Sequence, residues 1–297
     1  MPAVMDRGRG MKRLMLSPLR YPGGKGSLYP RLRDLLRANR LIGGTYVEPY
    51  AGGAGAALGL LITGQVQRIV INDLDPAVYA FWRSIVRQPD EFSQLAKDAV
   101  LTVDEWRRQR SIYLSARRSD YLELGFATFY LNRTNRSGVL NGGPIGGLDQ
   151  TGNYKIDARF NKVGLLERLR LIAMYAKRIT VLKKDGLDVI QQYAGKEKTF
   201  VYADPPYFEK AGSLYMNSFT SDDHAALADC LNAYSSTSWL LTYDNVQEVE
   251  DLYAQRRRQT VTLNYSAHRV MQAKEVMVFS DQLLIPWGTQ ATIANSE

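Results

Sequence analysis

Residues 48–55 have the sequence Glu48-Pro49-Tyr50-Ala51-Gly52-Gly53-Ala54-Gly55, a glycine-rich turn between two apolar segments of this 297-residue chain. The turn follows a short predicted strand at Tyr46-Val47, and helical periodicity begins after it, from about Ala56 to Ile62. A second β-rich run, Arg68-Ile69-Val70-Ile71, ends in Asn72-Asp73-Leu74. This order of strand, turn, helix and strand with a terminal acid predicts a doubly wound α/β sheet. Its ligand site is expected at the carboxyl ends of the strands.

The charge of this turn indicates which ligand it suits. The turn lacks the G-x-G-x-x-G pattern of dinucleotide sites, and it begins with an acid, Glu48, which would repel a pyrophosphate. A cationic ligand without phosphate fits better, so we expect S-adenosylmethionine rather than NAD, with the glycines allowing close approach and Asp73 accepting from the ribose. A generic strand-to-helix turn is the alternative. The predicted cofactor-contacting residues of this region are Glu48, Tyr50, Gly52, Gly55, Asp73 and Leu74.

A second acid follows an apolar run later in the chain. Asp204-Pro205-Pro206-Tyr207 comes directly after Thr199-Phe200-Val201-Tyr202-Ala203, so the acid is expected where a buried strand reaches the edge of the sheet. The carboxylate and a neighbouring carbonyl can accept both hydrogens of one exocyclic amino group, and the prolines restrict the backbone that carries them. Tyr207 offers a flat face for a planar base. The alternative is that these residues merely end the strand and turn the chain.

The composition narrows the class of protein. Hydrophobic residues make up 45% of the chain, and the formal net charge of +8 favours a polyanionic partner. The single cysteine, Cys230, excludes an intramolecular disulfide, and the two histidines, His224 and His268, lack metal-ligand spacing. We expect both histidines at the surface or capping helices. The same cysteine and histidine content predicts a protein without bound metal. We expect it to be cytoplasmic, because no apolar run is long enough for a membrane span or a secretory signal.

The middle of the chain has a different character. From about Ala77 to Phe160 the pattern changes to polar–apolar helices rich in arginine, tyrosine and tryptophan, followed by loops dense in asparagine and glycine. Such side chains suit phosphates and base edges, with arginine pairing to guanine and asparagine to adenine. A solvated loop with turn-forming Asn-Gly pairs is the alternative. The predicted DNA-contacting residues are Asn132, Arg133, Asn135, Arg136, Ser137 and Lys155.

The α/β pattern resumes in the last part of the chain. We predict helices over residues 165–176, 187–193 and 222–233, the last capped by Thr220 or Ser221. The predicted strands are 179–181, 199–203, 239–242, 259–263 and 275–279.

From about Leu19 to Leu284, the motifs and their order resemble the Dam-type, alpha-group DNA adenine N6-methyltransferases. Residues 48–55 are similar to the methionine-binding loop of that family, Asp73 to its ribose-contacting acid, and residues 204–207 to its catalytic motif.

The same resemblance extends to two further segments. Lys25 in Pro22-Gly23-Gly24-Lys25 matches the N-terminal cofactor-binding lysine of the family, and Tyr21 stands where an aromatic packs nearby. The resemblance therefore adds Tyr21, Pro22, Gly23 and Lys25 to the predicted cofactor site. Residues 132–138 are similar to the DNA-contacting loop, but Thr134 to Arg136 departs from its commoner form, which leaves the target sequence open.

The resemblance implies a Rossmann-like S-adenosylmethionine-dependent methyltransferase fold with a mostly parallel seven-stranded sheet and a mainly helical target-recognition insertion. It implies an N-terminal tail (1–18), a catalytic domain (19–80 and 161–290) and a DNA target-recognition domain (81–160).

The expected reaction is methyl transfer to N6 of an adenine flipped out of double-stranded DNA. Asp204 and Pro205 would accept the hydrogens of the amine, and Pro206 and Tyr207 complete the catalytic motif. The expected partner is double-stranded DNA, bound without metal or membrane by a monomer or weak dimer. The alternatives are methylation of cytosine N4, of RNA adenine or of a protein glutamine amide, or a catalytically idle DNA-binding protein.

Overall fold

The computed structural model describes residues 16–20, 25–115, 120–208, 219–266 and 270–287. It contains a seven-stranded sheet with the order β3-β2-β1-β4-β5-β7-β6. Strands β1 to β5 pair in parallel, and β7 runs antiparallel between β5 and β6. The predicted mostly parallel seven-stranded sheet is confirmed. The strands are β1 (Thr45–Glu48), β2 (Arg68–Asn72), β3 (Ile179–Leu182), β4 (Thr199–Ala203), β5 (Trp239–Asp244), β6 (Arg257–Ser266) and β7 (Val270–Phe279).

Helices cover both faces of the sheet and form the insertion between β2 and β3. The helices predicted over residues 56–62, 165–176, 187–193 and 222–233 are present, with bounds that differ by no more than three residues, whereas the helix over residues 247–252 was not predicted. The helices are α1 (Tyr29–Ala38), α2 (Gly55–Ile62), α3 (Pro76–Arg87), α4 (Pro89–Asp98), α5 (Val103–Ser115), α6 (Tyr121–Thr134), α7 (Lys162–Met174), α8 (Gly186–Tyr193), α9 (Ser221–Ala233) and α10 (Gln247–Leu252).

The strand order reverses at β1. The chain passes from β1 to β2 and β3 on one side and later to β4 and β5 on the other, so β1 and β4 are parallel neighbours. Ligands of open α/β sheets bind at such a reversal, outside the carboxyl ends of the strands. The residues that follow β1, β2 and β4 therefore meet at one edge.

The central strands are buried on both faces, as parallel sheets require. Alternate residues point to opposite sides: Tyr46 and Phe200 belong to one apolar cluster, and Val47 and Val201 belong to the other. The first cluster includes α1, α2, α3 and α6, and the second includes α8, α9 and α10. The core thus fixes the positions of the strand ends from both sides.

The helical insertion shares the first of these clusters. Phe92 of α4 lies 5.7 Å from Phe81 of α3 and 5.6 Å from Phe129 of α6, and Phe129 lies 5.3 Å from Phe160, measured between ring centroids. The predicted domain boundary at residue 81 falls inside α3. The apolar core is therefore continuous from the sheet into the insertion.

Local capping chemistry accounts for two helix starts near the strand ends. The Asp75 side chain accepts hydrogen bonds from the first turn of α3. Thr220 caps α9 in a capping box with Asp223, which confirms Thr220 as one of the two predicted caps.

Among the residues that the structure describes, no helix combines the length and apolarity of a membrane span.

The contact between α3 and α6 leads to a stability prediction. A methyl group added at Gly125 would lie 2.6 Å from the carbonyl oxygen of Ala80, so the two helices would have to separate. We expect G125A to lower the free energy of unfolding by about 1–3 kcal/mol. G164A is the matched control, because its added methyl meets only ordinary contacts in the first turn of α7. Denaturant unfolding measures both, and equal stability of the two variants would contradict the prediction.

Candidate active site

Acidic side chains end three neighbouring parallel strands. Glu48 is the last residue of β1, Asp73 follows β2, and Asp204 follows β4. The structure therefore brings together the three acids that the sequence placed at strand ends. Each is held differently.

Glu48 is almost completely buried, with 3% of its surface exposed. Its Oε1 accepts hydrogen bonds from the Tyr46 hydroxyl at 3.1 Å and from the backbone N–H of Ala57 at 3.2 Å. Burial raises the pKa of Glu48 to about 8, and the charge of Asp204 adds to the rise, whereas the two hydrogen bonds oppose it. A nearby cation would favour the ionised form of this carboxyl.

Asp73 holds the glycine-rich loop. Its Oδ2 accepts from the backbone N–H of Gly52 at 2.9 Å, and its Oδ1 accepts from the N–H of Asp75 at 3.0 Å. The Trp82 indole donates to the carbonyl of Gly52 at 2.8 Å, and Gly52 has a φ of +46°. Burial, followed by the charge of Asp75, raises the pKa of Asp73 to about 7. Leu74 is 49% exposed beside this acid, on the open side of the loop.

The loop also lies against the N-terminal part of the chain. A methyl group added at Gly55 would lie 3.5 Å from the backbone nitrogen of Gly26, so the helical turn that starts at Lys25 runs alongside the loop. Tyr21, Pro22, Gly23 and the side chain of Lys25 lie outside the described residues. The predicted contacts of these four residues stay predictions.

Tyr50 belongs to the glycine-rich loop, and its ring packs between the start of α8 and Phe219, which precedes α9. Its ring lies edge-on to Phe219 at 5.7 Å, and a side chain at Gly186 would overlap it, with an added methyl 2.3 Å from the ring. The Tyr50 hydroxyl is buried and receives no hydrogen bond from the residues described. Burial, followed by the charge of Asp185, raises the pKa of Tyr50 well above its ordinary value. The hydroxyl therefore stays protonated.

Asp204 is partly buried and fixed by the neighbouring strand β5. The Thr242 hydroxyl donates to its Oδ1 at 2.8 Å, and Thr242 in turn shares a 2.8 Å hydrogen bond with the Tyr202 hydroxyl. Pro205 is buried beside it. The carboxylate thus has a set orientation at the end of β4.

Tyr207 completes this motif and contacts a fourth acid. Its hydroxyl hydrogen-bonds to Oε1 of Glu275, which is fully buried in β7, and lies 3.4 Å from Oδ1 of Asp204. Burial, followed by the charges of Asp204 and Glu275, raises the pKa of Tyr207 well above its ordinary value. The ring lies 6.2 Å from that of Tyr243.

The next residue, Phe208, joins the motif to the neighbouring strand β5 and to α9. The backbone N–H of Phe208 donates to Oδ1 of Asp244 at 3.2 Å, and its ring stacks on His224 at 3.8 Å. His224 Nδ1 hydrogen-bonds to the Tyr243 hydroxyl, and burial lowers the pKa of the imidazole. The prediction of a surface or capping histidine is wrong for His224, which is 2% exposed inside α9. His268 lies outside the described residues.

Asn132 and Arg133, predicted to contact DNA, are buried and hold the backbone of residues 16–20. Asn132 accepts from the N–H of Arg20 at 2.7 Å and donates to the carbonyls of Arg20 and Gly138 at 2.8 and 2.9 Å. Arg133 donates to the carbonyl of Pro18 at 2.6 Å. Their exposed fractions are only 3% and 7%. In this structure, these two side chains hydrogen-bond to backbone groups of Arg20, Gly138 and Pro18 and do not face solvent.

Asn135 has the same kind of role within the following loop. It is fully buried, accepts from the Trp106 indole at 2.6 Å, and donates to the carbonyls of Val139 and Leu140 at 2.8 and 2.9 Å. Its side chain therefore also shapes the loop rather than facing a ligand.

The remaining predicted DNA-contacting residues are accessible to solvent. Arg136 is exposed, Ser137 is partly exposed with a φ of +54°, and Lys155 is exposed while donating to the carbonyl of Gln150 at 2.6 Å. These three lie on the insertion between β2 and β3.

Sequence reasoning missed several residues of the site, namely Tyr46, Tyr202, Thr242 and Glu275. The available signal was an acid, Glu275, directly before the apolar run 276–279 of a predicted strand. Among the described residues, no group of three or more His, Cys, Asp or Glu side chains is arranged to hold a metal.

A parallel sheet with this strand order, an antiparallel β7 and acids at three strand ends defines the class of Rossmann-like methyltransferases. Residues 21–271 match the family model of the D12 class N6 adenine-specific DNA methyltransferases, and the chain belongs to this family.

Two related sequences agree with this assignment. The chain is 26% identical over 223 residues to a DNA adenine methylase of Vibrio cholerae, covering 71% of this chain and 74% of that protein. It is 22% identical over 238 residues to the type II methyltransferase M.CviBI of Paramecium bursaria Chlorella virus NC1A, covering 79% and 86%. The solved rRNA methyltransferase AviRa of Streptomyces viridochromogenes aligns at a TM-score of 0.33 and 15% identity over 85% of each chain. The assignment rests on the family match, and the activity is site-specific methylation of adenine in DNA.

The raised pKa of Glu48 predicts a stability that depends on pH. An unfolded glutamate loses its proton near pH 4.5, whereas folded Glu48 keeps it to about pH 8, so its contribution to the free energy of unfolding falls as pH rises between these values. E48Q keeps an acceptor for Tyr46 and Ala57 and lacks the titration. In the cofactor-free protein we expect E48Q to gain stability over wild type from pH 5 to pH 8, on the order of a few kcal/mol.

Denaturant unfolding of both proteins at pH 5, 6, 7 and 8 measures this difference. A constant difference across the four pH values would contradict the raised pKa.

Proposed function

We propose that the edge formed by Glu48, Asp73 and Asp204 binds S-adenosylmethionine beside an adenine displaced from double-stranded DNA. The observation that carries the proposal is the environment of Asp204 at the end of β4. Thr242 orients its carboxylate, the Tyr207 hydroxyl lies 3.4 Å from it, and its charge raises the pKa of Glu48. Orientation by neighbouring groups is what a catalytic carboxylate requires.

The residues at the strand ends fit this cofactor. It carries a sulfonium and an ammonium and no phosphate, and a positive charge near Glu48 would offset the burial that raises the pKa of this carboxyl. Each Asp73 oxygen already accepts one backbone N–H, and its remaining lone pairs can accept ribose hydroxyls. When bound, the cofactor supplies an electrophilic methyl group. Tyr50, Gly52, Gly55 and Leu74 belong to the proposed site, together with Tyr21, Pro22, Gly23 and Lys25.

The proposed role of Asp204 and Pro205 concerns the nitrogen that is methylated. The exocyclic amine of adenine is a weak nucleophile because its lone pair is delocalised into the ring. Hydrogen bonds from its two N–H groups to the Asp204 carboxylate and the Pro205 carbonyl would favour a tetrahedral nitrogen with a localised lone pair. The nitrogen becomes positively charged as it takes the methyl group, and the carboxylate faces that charge. The proton that the nitrogen then loses passes to Asp204 and on to solvent.

Displacement of the base from the duplex costs a few kcal/mol, which stacking offsets in part. Tyr207 is the proposed stacking partner, because it lies beside Asp204 and its hydroxyl donates a hydrogen bond to Glu275, which fixes the ring. Pro206 restricts the backbone between them.

The proposed DNA contacts come from the exposed part of the insertion. Arg136, Ser137 and Lys155 are accessible, whereas Asn132, Arg133 and Asn135 support the loop from inside. In α5, Arg107 and Arg108 already pair with acids on their own helix, at 2.9 and 2.7 Å. Arg136 is therefore the proposed principal contact to phosphate or base.

The role of Asp204 is tested by D204A and D204N. Both should slow single-turnover methyl transfer to an adenine-containing duplex by at least about 100-fold, because the amine loses its charged acceptor. DNA affinity should stay near wild type, since the carboxylate makes no contact with the duplex backbone. Transfer within threefold of wild type by D204N would refute the role given to this carboxylate.

Residues 132–138, called here the recognition loop, contain the exposed Arg136 and the buried Asn132, and the proposed difference between their roles is tested by comparing R136A with N132A. If Arg136 contacts a phosphate, R136A should weaken DNA binding and reduce the slope of log affinity against log salt by about 1. N132A should leave that slope unchanged and lower the free energy of unfolding by about 1–3 kcal/mol, because the backbone groups of Arg20 and Gly138 lose a buried partner. Fluorescence anisotropy at several salt concentrations, with unfolding measured in parallel, distinguishes the two. A change of slope in N132A equal to that in R136A would contradict this division.

A further inference from the structure

The Tyr207 hydroxyl lies between two carboxylates. It donates to Oε1 of Glu275 and is 3.4 Å from Oδ1 of Asp204, a distance at the outer limit of a hydrogen bond. A hydroxyl has one proton to donate. The carboxylate that takes this proton therefore decides how strongly Tyr207 interacts with the other.

Glu275 is an acid at a buried position of β7, and the packing of the sheet does not by itself account for an acid there. It is fully buried in β7, where it pairs in register with Asp244 of β5, and the residues that follow it, 276–279, are apolar and buried. A buried carboxylate costs free energy unless hydrogen bonds compensate it. An apolar residue at this position would satisfy the core better. The acid is therefore accounted for by what its side chain contacts.

Asp204 already has one strong donor on the oxygen that faces Tyr207. Thr242 donates to Oδ1 at 2.8 Å, and the Tyr207 hydroxyl approaches the same atom. A second strong donor would stabilise the carboxylate and weaken it as an acceptor for a further N–H group. It would also draw the Tyr207 ring toward Asp204.

We propose that Glu275 is a positioning residue for methyl transfer. By accepting the proton of the Tyr207 hydroxyl, it keeps this hydroxyl from binding strongly to Asp204. The carboxylate then retains its strength as acceptor for the target amine, and the ring keeps its orientation toward the base. This role rests on the proposed function of Asp204 and Tyr207 and reaches the reaction through Tyr207.

The test is a rescue experiment in the full-length protein with single-turnover methyl transfer as the readout. E275L removes the acceptor, so the hydroxyl turns to Asp204 and the rate falls by at least about 10-fold, the equivalent of roughly one hydrogen bond. E275Q retains a carbonyl oxygen that accepts the hydroxyl, and its rate stays well above that of E275L. The double variant E275L/Y207F lacks the competing hydroxyl, so its rate rises again, several-fold above E275L.

A purely structural role for Glu275 would let the rate change only in step with stability, because Y207F also removes the hydroxyl whose acceptor E275L deletes and can restore the core. A double variant that regains rate without a matching gain in thermal stability therefore distinguishes a positioning role from a structural one. D281N is the matched control, since Asp281 lies just beyond β7, is exposed and pairs with Arg256 at 2.6 Å. It should transfer at the wild-type rate. DNA affinity and thermal unfolding of every variant are measured in parallel.

Three results would overturn the inference: a wild-type rate for E275L, a double variant no faster than E275L, or an E275Q rate as low as that of E275L. If E275L does not fold, E275D replaces it, because its shorter side chain keeps the charge and loses reach. It should be slower than E275Q and be restored by Y207F, and failure of either expectation also overturns the role. A D204N variant that remains active would instead refute the proposed function itself, so the two failures are distinguishable.

Discussion

The rest of the site depends on the free-energy cost of placing carboxyl groups in partly or fully buried positions at the ends of parallel strands. Glu48 and Asp204 end the neighbouring strands β1 and β4, and each makes ionisation of the other more costly. Hydroxyl groups from the sheet itself, those of Tyr46 and Thr242, compensate part of this cost. The remainder is left for a cation to offset. A site of this kind favours ligands that bring positive charge or develop it.

The parts of the site that could be predicted are those set by short-range sequence. Glu48, Asp73 and Asp204 each follow an apolar run, and an acid there is placed at the sheet edge by the fold alone. Thr220 could be recognised as a cap because its partner, Asp223, is three residues away. Glu275 could not be placed in the site, because β7 enters antiparallel between β5 and β6, and nothing near residue 275 indicates that Tyr207 is its partner.

The recognition loop shows why composition misleads at particular positions. Asparagine and arginine suit base edges and phosphates, and for this reason the sequence predicts that Asn132 and Arg133 face DNA. Their partners are backbone groups of Arg20 and Pro18, separated from them by 112 and 115 residues along the chain. No local pattern carries that information. Arg136, with the same composition around it, is the exposed member of the loop.

The hydrogen bonds from Asn132 and Arg133 to the segment 16–20 also bear on any exchange of the proposed target-recognition insertion between relatives. The segment runs directly into Tyr21 and the predicted cofactor motif, so α6 is joined by hydrogen bonds to the backbone that precedes this motif. If the insertion of a relative replaced residues 81–160, the residues at positions 132 and 133 would come from the relative, whereas the backbone of residues 16–20 that they bind would not. Successful chimeras, in the laboratory or in evolution, must exchange the two pieces as a pair.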